Sequence, residues 1–478
     1  MAFWGKFLPF GSSKKEKGSN GQIATLADKT NAVTPKTKFG KELRKEFLFD
    51  EKYLNLNHGS FGTYPKAVRT ALRRYQDQAE SHPDNFIRYE YPPMLDDRRQ
   101  ILADLLHAPV ETIVLLLNAT TGINIVLRDL NFKDGDVIVY FDTIYGACEK
   151  VIMYMAETTP VEAVKVEYVY PLSDSELVDR FRAVITKLQE EGKNPRVAVF
   201  DTVASMPGVK MPYEELGKAC RGLNVLSFVD GAHGVGQRDL NLTELDFDFF
   251  VSNCHKWLYT PRACAVFYVP ERNQSLIRST LPTSHGFMPK SPKKKILNPF
   301  PENNKSYFVN MFEFTGTCDN SAFLCIADAM KWRESLGGEA AIREYCIDLA
   351  QKAGKRVAEI LGTQVIENAE GTLGQCSMTN VDLPIKFEEV QKIVEEAGKV
   401  IDNVDLQYKV RDWMTMRLVK QHNTFLALGF YNGVWFVRLS ATVYLDMDDF
   451  EWAGKVLLEE CERVQKGEFL EWIEPQEK

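Results

Sequence analysis

Two short segments carry residues that could do chemistry together. Val229-Asp230-Gly231-Ala232-His233-Gly234 closes one apolar run, and Val251-Ser252-Asn253-Cys254-His255-Lys256-Trp257 closes the next. If both runs are strands of a parallel sheet, their carboxyl ends open on one edge, where such sheets bind ligands. An aspartate and a lysine delivered to that edge are what pyridoxal phosphate requires. The lysine amine forms a Schiff base with the cofactor, and the carboxylate keeps the pyridine nitrogen protonated. The ring then draws electrons from a substrate α-carbon. Lys256 must lose its proton to act, which a dry and partly cationic site favours. Alone, each residue has an ordinary explanation: a lysine before tryptophan anchors a surface, and a strand-end aspartate caps a turn. Their joint occurrence among Gly and Ser selects the cofactor reading.

Two more segments fit the same site. Asn118-Ala119-Thr120-Thr121-Gly122-Ile123-Asn124 lies between an apolar run and a helical pattern. Small hydroxyl residues at a helix start turn backbone N–H groups outward and favour an anion. That suits a phosphate cup, and equally an ordinary helix cap. Val437-Arg438-Leu439-Ser440-Ala441 places an arginine inside an apolar strand pattern. A buried guanidinium needs an anion. A substrate α-carboxylate gripped in two places would supply one, as would a structural salt bridge.

These residues need a scaffold to bring them together. Between residues 112 and 270 apolar runs alternate with helical patterns: Thr112–Leu117, Asp136–Phe141, Ala163–Tyr168, Arg196–Phe200, Val225–Val229, Phe247–Val251 and Cys264–Val269. Ser173–Gly192 is a helix with Ser173 at its N-cap and Leu177, Phe181, Val184, Ile185 and Leu188 on one face. The alternation predicts an α/β fold with a mostly parallel seven-stranded sheet covered on both faces. After Pro270 the character changes. Residues 282–310, with the run Lys293-Lys294-Lys295, read as an exposed loop, and helical patterns return at Ala327–Ser335 and Glu339–Leu361. The expected organisation is a disordered basic leader at 1–40, a large cofactor-binding domain with an N-terminal arm at 41–320, and a smaller α+β domain at 321–478.

With 478 residues the chain is long enough for two or three lobes, at about 100–200 residues each. Residues 1–45 carry ten Lys or Arg against three acidic residues, so a net charge of -8 leaves -8 - 7 = -15 on the remainder. An acidic body argues against a nucleic-acid partner, and the leader reads as a solvated tail. No run of about 18 apolar residues suggests a membrane span. The opening Met1-Ala2-Phe3-Trp4-Gly5-Lys6 lacks the apolar core of a secretory signal. Nine cysteines without a CxxC pair read as reduced thiols of a cytoplasmic protein, with neither disulfides nor a metal site expected.

Taken in order, these segments resemble the class V aminotransferase family of fold-type I pyridoxal phosphate enzymes. The likeness is nearer to its isopenicillin N epimerase-like branch, which includes hercynylcysteine sulfoxide lyases and LolT-like enzymes. It is carried from about residue 40 to 470 by Leu56-Asn57-His58-Gly59-Ser60-Phe61-Gly62, Phe141–Ala147, Ser252–Trp257, Leu281–Phe287 and Arg438–Tyr444. The resemblance implies that Lys256 is the Schiff-base lysine and Asp230 the partner of the ring nitrogen. It places His233 near the phenolic oxygen, unless it is a structural histidine, and stacks Tyr145 on the ring, unless that is a core tyrosine. Ala119, Thr120, Ser252 and His255 would hold the phosphate. Thr317 would reach the phosphate of a neighbouring subunit, in a homodimer with sites at its interface. Asn57 and His58 would line the substrate side, with Arg438 on the carboxylate of a small amino-acid substrate.

The cofactor makes the α-carbon acidic without fixing the fate of the resulting carbanion. Loss of a β-substituent gives a lyase releasing pyruvate and ammonia, reprotonation an epimerase, nitrogen transfer an aminotransferase. A LolT-like enzyme would instead substitute or form a bond at the side chain. The motif Asn57–Gly62 looks closer to the sulfoxide lyases, so cleavage of an S-substituted cysteine sulfoxide is the expected reaction. One departure counts against it: where lyases can carry a cysteine, this chain has Lys165, leaving Cys148 as a substitute thiol or a small buried hydrophobe. A non-enzymatic scaffold would be expected to lose Lys256 or Asp230, and both are present.

Overall fold

The computed structural model describes residues 38–291 and 297–473. The basic leader, apart from its last three residues, and the run Lys293–Lys295 lie outside the described residues.

All seven apolar runs form strands: β1 Ile113–Leu116, β2 Asp136–Phe141, β3 Glu162–Val166, β4 Asn194–Asp201, β5 Leu226–Asp230, β6 Phe249–Ser252 and β7 Ala265–Tyr268. They build one sheet in the order β3-β2-β4-β5-β6-β7-β1. Every pairing is parallel except those of β7, which runs antiparallel to both β6 and β1. Helices cover both faces, so β1 and β2 are buried at every position. This is why their sequences read as unbroken apolar runs rather than as alternation. β3 is an edge and is half exposed, which accounts for the charges in Glu162-Ala163-Val164-Lys165-Val166.

Local signals place the connecting helices. Asp174–Glu190 starts where Ser173 accepts the Glu176 N–H. Ala119–Asp129 starts where Asn118 accepts the Thr121 N–H. Gly122 on that helix faces β6, and a Cβ there would lie 2.8 Å from Val251 Cγ2. The missing side chain lets the helix seat its N-terminus close to the strand that leads to Lys256.

A second core forms around β8 Met378–Lys386, β9 Ala427–Tyr431 and β10 Val434–Ser440, antiparallel in the order β9-β10-β8. The β9–β10 turn is Asn432-Gly433, both at positive φ, the geometry a tight hairpin demands. Gly338–Leu361 and Met447–Gln465 pack on this sheet. The same core takes Leu43, Phe47 and Leu56 from the N-terminal arm. Ala322, Phe323, Leu324 and Ile326, past the expected boundary, pack with the large sheet instead. None of the described helices is long and apolar enough to cross a membrane.

One buried side chain holds the ends of two key loops. Arg333 is fully buried and donates to the carbonyls of Gly236 at 3.1 Å and Trp257 at 2.7 Å, while Glu339 takes its remaining donors in a two-point pair. Those carbonyls end the segments that begin at Asp230 and Ser252. Removing Arg333 strands Glu339 and leaves two buried carbonyls unmet. The substitution R333A should therefore cost about 3–5 kcal/mol in urea unfolding of the intact chain. A loss below about 1 kcal/mol would mean that other contacts fix the two loops.

Candidate active site

Beyond β6 the chain makes one helical turn, Cys254–Trp257, which projects Lys256 back over the carboxyl edge of the sheet. Its Nζ lies 3.1 Å from His233 Nε2, and the Trp257 indole N–H donates to His233 Nδ1 at 3.0 Å. These two contacts fix the protons. An indole N–H can only donate, so Nδ1 is the bare nitrogen and Nε2 carries the hydrogen. Nε2–H then donates to Nζ, which must offer a lone pair. This arrangement accommodates the amine in its neutral form, the form needed to attack a carbonyl carbon. Burial lowers Lys256 to about 8, and burial with Lys256 alongside holds His233 well below its usual range.

Asp230 ends β5 and is buried beside Lys256. Its Oδ1 accepts the Ala232 N–H at 2.9 Å and its Oδ2 accepts the Cys148 thiol at 3.3 Å. Cys148 thus lies behind Asp230, buried, and does not line the cavity. Tyr145 sits at the start of the helix Gly146–Thr158, lines the cavity and is 49% exposed, so it is not a core tyrosine. Ala119 and Thr120 at the N-terminus of Ala119–Asp129 border the same cavity with Asn253 and His255. Asn253 Oδ1 accepts the Ala119 N–H at 2.9 Å, and burial brings His255 down to about 4.

Arg438 has no acid within ion-pair distance among the described residues, so the salt-bridge alternative does not hold. It is 1% exposed and donates only to neutral groups: Ser205 O, Asn57 Oδ1 and Ser60 Oγ, each at 2.8 Å. Its Nε has no partner. Burial alone draws the guanidinium down to about 10. Ser60 and Ser205, which it grips, line the cavity beside Lys256. A buried cation held only by dipoles behind the cavity wall is suited to receive an anion.

Two expected residues stand elsewhere, and Thr317, expected at a neighbouring subunit, lies away from this cavity. His58 is fully buried, with Nε2 on the Lys256 carbonyl at 2.8 Å and Nδ1 on the Tyr444 hydroxyl at 3.0 Å, so it props the lysine's backbone rather than lining the cavity. Gly62, at φ +61, lets that segment approach: a Cβ there would lie 1.8 Å from the His255 carbonyl oxygen. Ser252 is also fully buried; it donates to Gly231 O and accepts the Val235 N–H, bracing the loop after Asp230. Thr317 borders a separate cavity with Arg73, Phe86 and Cys318. Asn57 reaches the site through Arg438. Lys165 pairs with Glu149 at 3.0 Å and Asp142 at 3.5 Å, and it does not border the Lys256 cavity. Of the residues lining the cavity, Asp201 and Ser205 fall outside every segment singled out in the sequence.

The residues fit pyridoxal phosphate. A neutral amine, a buried carboxylate with two donors behind it, a helix N-terminus and a half-exposed ring meet around one cavity, next to a guanidinium without an anion. Comparison with known proteins agrees. The profile of the family described as aminotransferase class-V matches residues 65–402. The chain belongs to this family. As a class-V enzyme it works with pyridoxal phosphate. It is 38% identical to the L-cysteine desulfhydrase-like protein lolT1 of Epichloe uncinata over 90% of this chain and 97% of that one. It is 31% identical to the hercynylcysteine sulfoxide lyase of Schizosaccharomyces pombe, over 88% and 98%. The higher identity to lolT1 runs against the nearness to the lyases suggested by Asn57–Gly62. Among solved structures, the cystine C–S lyase C-DES in complex with cysteine persulfide superposes with a TM-score of 0.67 at 15% identity, covering 86% of this chain and 98% of that one. The cysteine desulfurase of Thermococcus onnurineus NA1 gives 0.65 at 17%, covering 91% and 100%.

The proton and charge assignments have two measurable outcomes. Apoprotein should take up pyridoxal phosphate at a rate that rises with pH through a midpoint near 8, the lowered value of Lys256, as followed by the growth of visible absorbance. A rise that began only near the ordinary lysine value of 10.5 would contradict the neutral amine. In R438A, KM for an amino-acid substrate should climb roughly 10- to 100-fold, the worth of one or two charge-assisted hydrogen bonds, with bound cofactor unchanged. Parallel loss of cofactor would make Arg438 a structural residue.

Proposed function

We propose that this class-V enzyme is a carbon–sulfur lyase that cleaves an S-substituted cysteine or its sulfoxide, such as hercynylcysteine sulfoxide, with water giving pyruvate and ammonia; a thioether leaves directly as thiol, and a sulfoxide leaves as a sulfenic acid that a thiol reductant converts to the thione. The observation that carries the amino-acid substrate is Arg438, a buried guanidinium without an anion at the edge of the Lys256 cavity. The names of the relatives support the sulfur chemistry, because lolT1 and the sulfoxide lyase both match this chain over most of its length.

When bound, pyridoxal phosphate supplies an electron sink that acidifies the substrate α-carbon. The chain supplies the rest. Ala119 and Thr120 at the helix start, with His255, would hold the phosphate, Asp230 would hold the ring nitrogen, and Tyr145 would stack on the ring. Arg438 grips the α-carboxylate, which orients the α-hydrogen toward Nζ of Lys256. Nζ takes that proton on its one lone pair, which turns from the Nε2–H of His233 to the substrate to do so. Loss of the β-substituent then needs no protein nucleophile. No cysteine lines this cavity, so sulfur leaves with its own substituent instead of passing to an enzyme thiol. In a homodimer, Thr317 would complete the phosphate site of the partner.

The second reading is a LolT-like enzyme that substitutes or builds a bond at the side chain, favoured by the 38% identity to lolT1. Both begin with the same proton removal at the α-carbon and part at the β-carbon. The deciding assay supplies cofactor-loaded enzyme with hercynylcysteine sulfoxide and a thiol reductant, and separately with L-cysteine, without any keto acid. Pyruvate formed in step with a free thione or thiol is expected of the lyase. A loaded enzyme that exchanges the α-hydrogen with deuterated water yet releases no pyruvate would overturn it and favour the second reading.

A further inference from the structure

Asp201 lines the cavity, and neither cofactor binding nor proton transfer at Lys256 gives it a part. It ends β4 as Asp230 ends β5, and the two are register partners on neighbouring parallel strands. They are 3% and 2% exposed and border the same cavity. Adjacent strands lie about 4.8 Å apart, so two ionised carboxylates at paired positions would repel strongly where water is scarce.

The surroundings distinguish the two. Asp230 receives the Ala232 N–H and the Cys148 thiol, and donated hydrogen bonds favour an ionised acid. Asp201 Oδ2 is buried with no hydrogen-bond partner. The titratable groups around Asp201 are Asp230 on β5, Lys256 beyond β6, Tyr168 and Tyr170 beyond β3, and Cys148 on the helix Gly146–Thr158. Lys256 is the one potential cation of this set, and a single cation beside Asp230 offsets only one of the two carboxylates. An ionised Asp201 would thus be a buried charge without a counter-charge.

We propose that Asp201 works in the cavity as a neutral carboxylic acid, so that the pair holds one proton, on Asp201, and one negative charge, on Asp230. A bound ring nitrogen then meets a single anion, and the Asp201 hydroxyl remains a donor at the cavity wall. Burial and the neighbouring Asp230 push Asp201 well above the usual carboxylate range, in keeping with this division. The inference rests on the cofactor reading of the cavity and is independent of which substrate is cleaved.

The test uses the cofactor-loaded enzyme and needs no substrate. D201N keeps a neutral donor, so its affinity for pyridoxal phosphate and the pH profile of its visible band should match the wild type within about threefold. D201A loses the donor and should bind cofactor about tenfold more weakly, the worth of one hydrogen bond. The infrared difference between wild type and D201N at neutral pH should contain the C=O stretch of a protonated carboxylic acid. D201N behaving like D201A, or carboxylate bands in place of the acid stretch, would overturn the proposal. If D201N does not fold, the wild type with 13C-labelled aspartate gives the same reading, and absence of an isotope-shifted acid stretch sinks it. A failed pyruvate assay would leave every one of these readouts unchanged.

Discussion

Lysine prefers to be charged, and this fold is organised around making one lysine easy to discharge. A chain of donors favours the neutral form: indole N–H to imidazole, imidazole N–H to amine. Burial alone would disfavour the ammonium, but a nearby aspartate pulls the other way. The directional contact through His233 decides the position of each proton, and Arg333, His58 and Ser252 hold the backbone that makes the contact possible. Much of what surrounds the cavity is thus support for two short loops.

The large sheet is legible in the sequence because a strand buried on both faces writes itself as an unbroken apolar run, as Val137-Ile138-Val139-Tyr140 does. The pair Asp230 and Lys256 is legible for a related reason, since a polar residue closing such a run stands at the sheet edge. Asp201 closes β4 in the same way, yet it gives no comparable signal because no second chemical group stands close behind it in sequence. His58 and Ser252 show the opposite failure. Their types suit ligand binding, but which hydrogen bonds they spend elsewhere depends on folds of the chain away from their own motifs, Tyr444 in one case and Val235 in the other. Burial of Arg438 is readable from its apolar neighbours. The absence of an acid beside it is not, because the residues around it come from separate stretches of the chain.

The cysteines also change meaning once placed. All nine are free thiols, and eight are buried. Cys148 lies in a motif that suggested a role in sulfur departure, yet it spends its hydrogen on the carboxylate behind the cavity. A weak donor of that kind steadies a charge without competing for it. Lys165, the other point of departure from the lyases, belongs to the exposed edge of the sheet and answers to Glu149 and Asp142.

The contact between His58 and Tyr444 joins residues 386 positions apart. A ribosome must therefore release nearly the whole polypeptide before the segment around Lys256 is braced on both sides. The groups lining the cavity are thus made early in synthesis, and the guanidinium behind them late.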